Sequence, residues 1–190
     1  MNEDALRVSV ARSLETKRRF FEDHAATVVA AGERIAAVLR AGGRLYTFGN
    51  GGSAADAQHF SSELVGRFQK ERPALSALAL TTDASAVTAI SNDFGFERVF
   101  ARQLEAHGRP GDVAFGITTS GRSPNVLAAL RTARERKLVT IGLTGKGGGE
   151  LVGLADLLID VASDNTQEIQ ETHAMIVHAL CEIIEDAVLA

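Results

Sequence analysis

His59 and Glu63 lie four residues apart in "GNGGSAADAQHFSSE" (49–63). On a helix that spacing puts both side chains on one face. An imidazole and a carboxylate held this way can chelate a divalent metal or share a proton. A plain surface contact is the commoner use of one such pair. Near the other end, "NTQEIQETHAMIVHALCEIIE" (165–185) carries Gln170 and His178 on one helical stripe, with His173 to one side. His178 stands among Ile176, Val177, Ala179 and Leu180, where a histidine is usually a satisfied core residue. Gln170 and His178 are about 12 Å apart along an α-helix, whereas metal–ligand bonds are only ~2 Å. One ion is poorly placed to accept both from one straight helix. If both serve one site, different copies of the chain supply them, which predicts an oligomer with shared active sites.

Two polar turns suit an anion or a sugar. "TTSGRSPN" (118–125) offers the hydroxyls of Thr118, Thr119, Ser120 and Ser123, with Pro124 fitting the first position of a helix capped by Ser123. Hydroxyls, free backbone N–H groups and a helix N-terminus together form a site for a phosphate monoester. Arg122 is either a phosphate partner or a solvated side chain. "GNGGS" (49–53) lets a ligand approach the backbone closely, and Ser53 with Asp56 matches an S-x-x-D cap. With no GK[ST] and no G-x-G-x-x-G pattern, ATP and NAD are disfavoured. Asn92 and Asp93, in "SNDFGF" (91–96), read as a turn or as a contact to sugar hydroxyls.

The elements that must position these residues follow from hydrophobic period. Residues 3–41 repeat apolar side chains at three- and four-residue steps, which predicts one long helix or two, ending at "AGG". Five short runs, 44–49, 74–80, 112–118, 138–144 and 156–162, are mostly continuously apolar, as strands buried on both faces are. Helical patterns at 53–68, 84–107 and 123–136 separate the first four, a short helix fits 148–153, and a last helix covers 166–189. Strand–helix alternation predicts an α/β fold with a parallel sheet and one domain over 1–190: an N-terminal helical arm (1–41), a sheet core (44–162) and a C-terminal helix. In such sheets ligands bind beyond the carboxyl ends of strands, where both glycine-containing turns fall.

The 190 residues suit one domain, and 45% hydrophobic with 23% charged residues is ordinary for a soluble protein. A net charge of −4 argues against a general nucleic-acid surface. The single cysteine, Cys181, lies in an apolar helical run and reads as a buried thiol. There is no apolar leader and no 18-residue apolar stretch, so no membrane contact is expected and the cytoplasm is the default.

Taken together, "GNGGSAADAQHFSSELVGRF", "RPALSALALTTD", "SNDFGF", "TSGRSPNV", "GLTGKGGGEL" and "IQETHAMIVHALCEIIE" resemble the sedoheptulose 7-phosphate (phosphoheptose) isomerases of the sugar-isomerase (SIS) fold. The likeness covers nearly the whole chain. It implies a flavodoxin-like five-stranded parallel sheet and a homotetramer with sites between subunits. It also implies conversion of D-sedoheptulose 7-phosphate to D-glycero-D-manno-heptose 7-phosphate for bacterial surface heptoses. The zinc ligands would be His59, Glu63, Gln170 and His178, with Glu63 and His178 also the acid/base pair. Asn50, Gly51, Gly52, Asn92 and Asp93 would contact the sugar, and Thr118, Thr119, Ser120 and Ser123 the phosphate. Two positions depart from the family: Thr118 replaces a serine, keeping the hydroxyl, and Gln167 stands where some relatives have an aspartate. A non-catalytic, replication-initiator-associating relative of this fold is the rival reading. The presence of both Glu63 and His178 weighs against it. No attached DNA-binding helical domain supports a sugar-phosphate-sensing regulator.

Overall fold

The computed structural model describes residues 1–190. Its first strand, β1 (Leu45–Gly49), is an interior strand of the sheet and is buried at every position because helices cover both faces. The remaining strands are β2 (Ala77–Ala79), β3 (Val113–Thr118), β4 (Val139–Gly145) and β5 (Leu157–Val161). All pair in parallel, in the order β2-β1-β3-β4-β5. This is the flavodoxin-like order, so the chain reverses direction across the sheet between β1 and β3. The crevice at that reversal lies between the two turns singled out in the sequence.

Alternate strand residues feed two cores. Leu45, Val113, Phe115, Ile117, Ile141 and Leu143 pack with α1 (Glu3–Arg40), α2 (Gly52–Val65) and α6 (Thr166–Leu189). Tyr46, Phe48 and Ala114 pack with α4 (Val99–His107) and α5 (Pro124–Glu135). The N-terminal arm is one helix, α1, capped by the Asn2 side chain, which accepts the Ala5 N–H at 2.9 Å. No helix is long and apolar enough to cross a membrane. Cys181 is fully buried, and burial pushes its thiol up to about 12, as an inert core residue requires.

Three expectations change. The pattern over 84–107 is not one helix: it breaks into α3 (Ala84–Phe94) and α4 at Gly95, whose φ of 86° no helix accommodates. The expected helix at 148–153 is only a 3₁₀ turn, Gly149–Leu151. Ser53 is not a cap, because α2 starts one residue earlier, with Gly51 at the cap position and no side-chain cap bond.

Candidate active site

The loop after β3 is built almost wholly from its own segment. Thr118, the buried last residue of the strand, places its Oγ1 2.9 Å from Ser123 Oγ and 3.5 Å from Ser120 Oγ. Thr119 and Ser120 are half-buried beside it, and Arg122 is exposed. Ser123 is the cap residue of α5 and Pro124 its first residue, as expected. The Ser123 hydroxyl turns to Thr118 instead of capping, which leaves N–H groups at the start of α5 available to an anion.

Gly121, at φ 64°, lets this loop sit on the turn after β4. A Cβ there would lie 2.1 Å from the Gly148 carbonyl oxygen, and the Glu150 N–H donates to Gly121 O at 3.0 Å. The supporting turn is unusual, since Lys146, Gly147, Gly148 and Gly149 all have positive φ. Asp160 secures it by accepting the Gly148 N–H at 3.1 Å.

The loop after β1 is joined to the loop after β3 by a pair of amides. Asn50 Nδ2 donates to Asn125 Oδ1 and Asn125 Nδ2 donates to Asn50 Oδ1, both at 2.8 Å. The Val126 N–H also donates to Asn125 Oδ1 at 3.0 Å, which fixes which way the buried Asn125 amide faces. Asn50 therefore offers a ligand its backbone more freely than its side chain. Beside it, the Gln170 amide packs where Gly52 lacks a Cβ: Nε2 would be 2.6 Å from such an atom.

Two helical turns further along α6, His178 meets α2. His178 Nε2 is 3.2 Å from His59 Nε2, and His59 Nε2 is 3.1 Å from Glu63 Oε1. Contrary to the usual fate of a histidine on an apolar helix, His178 is exposed. The core histidine is His173. It is fully buried and donates from Nε2 to the Thr144 carbonyl at 2.9 Å, and burial lowers it to about 4, so it stays neutral. Two imidazole nitrogens and a carboxylate oxygen thus face one another, and no single proton satisfies all three. Their spacings approach the ~3.4 Å edge of a tetrahedron with 2.0–2.1 Å bonds, and the donor types suit zinc. The trio does not by itself enclose a complete cation site, and Gln170 of the same chain sits at Gly52 instead.

Asn92 and Asp93 stand apart. Both are exposed on α3, where Asn92 Nδ2 donates to Asp93 Oδ1 at 2.8 Å, and no hydrogen bond ties them to the other candidates. Gln167 is exposed and donates to Glu171 at 2.9 Å.

Sequence reasoning missed a brace behind the trio. The Glu185 carboxylate accepts the backbone N–H groups of Phe68, Gln69 and Lys70, each at 2.9 Å, and Arg72 Nε at 3.0 Å. Arg72 in turn donates to the Glu63 and Leu64 carbonyls at 2.7 and 2.9 Å. No local pattern signals an ion pair 113 residues apart.

Residues 10–145 match the family model of the SIS domain. A phosphoheptose isomerase of a Roseiflexus species is 54% identical over 176 residues, covering 93% of this chain and 89% of the relative. The solved structure of a phosphoheptose isomerase from Neisseria gonorrhoeae aligns with a TM-score of 0.92 at 41% identity, covering 97% of this chain and 98% of the other. One from Francisella tularensis aligns with a TM-score of 0.94 at 38% identity, covering 98% of this chain and 100% of the other.

Proposed function

The chain belongs to the phosphoheptose isomerase family of SIS-domain proteins, and we propose that it converts D-sedoheptulose 7-phosphate to D-glycero-D-manno-heptose 7-phosphate through an enediol. Within the chain, the meeting of His59, Glu63 and His178 carries this reading, because a fold without chemistry has no need to gather them at 3.1 and 3.2 Å. The same meeting disfavours the non-catalytic, initiator-associating alternative.

Each group has a role suited to its place. The hydroxyls of Thr118, Thr119, Ser120 and Ser123, with the N-terminus of α5, hold the phosphate and fix the sugar's position. Asn50, Gly51, Gly52 and Gln170 lie against the sugar, with Asn92 and Asp93 as further hydroxyl contacts. Glu63 removes the C1 proton as base and returns it to C2. His178 takes the proton from the C1 oxygen and gives one to the C2 oxygen. Each group contributes on the order of 10²–10⁴-fold. His59, Glu63 and His178 would hold one zinc ion per site once completed by Gln170. When bound it supplies Lewis-acid stabilisation of charge on the sugar oxygens.

Gln170 rests on Gly52 of its own chain, so Gln170 from another copy is the better candidate for each trio. The homotetramer with shared sites is supported further by α3, which buries none of its residues, and by exposed Leu6, Val8, Val10 and Leu14 on α1. A cytoplasmic enzyme supplying heptose for bacterial surface polysaccharide is consistent with the family and with the lack of a membrane-spanning helix.

Assaying Glu63→Gln and His178→Gln on sedoheptulose 7-phosphate tests the chemistry: turnover should fall by ~10²-fold or more. Near-wild-type turnover in either removes that residue from the mechanism. Metal analysis of the purified protein should find close to one zinc per chain, lost together with activity on chelation.

A further inference from the structure

His178 has a neighbour on its open side. The Phe68 ring stacks on its imidazole, with centroids 5.4 Å apart and planes 29° from parallel. His59 meets the same imidazole edge-on, at 4.9 Å and 73°. Phe68 lies in the loop after α2, where an aromatic ring has no local reason to hold one orientation. Its backbone N–H is captured by Glu185, two turns beyond His178 on α6. Glu185 is almost wholly buried and so is the side chain of its partner, Arg72. Burial pushes the Glu185 carboxyl up, but the N–H groups of Gln69, Phe68 and Lys70, with Arg72, outweigh it and leave it below the ordinary value. The carboxylate is thus charged and fully engaged.

We propose that Phe68 is a positioning residue for His178, its ring closing one face of the imidazole so that Nε2 stays aimed at His59 and the reacting oxygens, with Glu185 and Arg72 as the knot that holds it there. The inference rests on the acid/base role of His178. The geometry supports it in three ways. Stacking of Phe68 on one face and the edge-on contact with His59 at Nε2 restrict the rotations open to an exposed histidine. Glu185 and His178 share one helix, so the loop is tied to the same rigid element that carries the group it orients. Arg72 holds the Glu63 carbonyl at 2.7 Å, so the brace reaches both members of the acid/base pair.

The test compares Phe68→Leu, which keeps apolar bulk but loses the ring face, with Phe68→Tyr, which keeps the face. His178→Gln serves as reference. In Phe68→Leu we expect kcat to fall about tenfold or more with KM little changed, as for loss of a residue that orients an active-site ligand. Phe68→Tyr restores kcat. In the metal-free protein, the His178 ring-proton NMR signals, assigned by their loss in His178→Gln, move downfield in Phe68→Leu as the ring-current shielding disappears. They hold their place in Phe68→Tyr. A Phe68→Leu enzyme with wild-type kcat, or unmoved His178 signals, overturns the proposal. So does a Phe68→Tyr enzyme as impaired as Phe68→Leu. If instead His178→Gln itself turns over like wild type, the acid/base assignment has failed, and the NMR comparison still decides whether Phe68 orients the ring.

Discussion

The loop proposed to hold the phosphate and the His59–Glu63–His178 trio are assembled in opposite ways. The loop is local and finished: residues 118–124 supply its hydroxyls and helix end, and the turn after β4 supports it within the same chain. The trio is long-range and open. His59 and His178 are 119 residues apart in sequence, His178 is exposed, and no complete cation site closes around them. Binding an anion needs only backbone N–H groups and hydroxyls, which a strand–turn–helix can present by itself. Moving protons between carbons needs titratable groups aimed at one point, which here takes two helices of one chain, and on our reading Gln170 comes to them from a second copy. On this proposal the half that anchors is preformed, and the half that reacts awaits assembly.

Mixing inactive subunits should break or sharpen that contrast most strongly. Gln170→Ala and His178→Gln proteins, each ~10²-fold or more below wild type, are unfolded together, refolded and assayed. If sites draw Gln170 and His178 from different copies, mixed oligomers contain intact sites and recover a substantial fraction of activity. No recovery would mean that both come from one chain.

The next largest effect is on the anchoring half. Gly121→Ala forces a Cβ to within 2.1 Å of the Gly148 carbonyl at a positive φ, so the loop must shift. KM for the sugar phosphate should rise by on the order of 10²-fold, with kcat at saturation much less affected. An equal fall in kcat would show that the two halves are not separable. A smaller change is expected for Asn125→Ala, which leaves the Asn50 amide unpaired: losing ~1–2 kcal/mol of hydrogen bonding should raise KM about tenfold.

The same contrast explains what could be read in advance. The loop 118–125, the five strands and the helix over 166–189 have local signatures, in hydroxyl and proline placement or in apolar period, and the structure reproduces them to within a few residues. The amide pair Asn50–Asn125, 75 residues apart, and the Glu185–Arg72 brace have none, because neither partner's neighbours betray it. Ser53 misled for a related reason. The S-x-x-D pattern fits a cap, but with Gly51 and Gly52 before it the chain turns into the helix early and Ser53 becomes a buried helical residue. His178 looked like core by its neighbours in sequence, yet the apolar stripe of α6 passes through His173 instead.

Those two histidines offer the finest test, since they share a helix and differ only in which side of it they occupy. His173, at about 4, lies below its ordinary 6.5 because burial disfavours the charged ring. Between those values the unfolded chain binds a proton that the folded chain refuses. Its contribution to stability is therefore fully present above pH 6.5 and is lost as pH falls towards 4, to an extent of about 3 kcal/mol. Replacing it by glutamine keeps an N–H donor for the Thr144 carbonyl and removes the titration. Calorimetric Tm values for wild type and His173→Gln, measured from pH 7.5 down to 4, should converge or cross as pH drops, the wild type losing more. Parallel curves would mean that His173 is protonated without penalty in the folded protein, and the division between a neutral structural histidine and an exposed working one would fail.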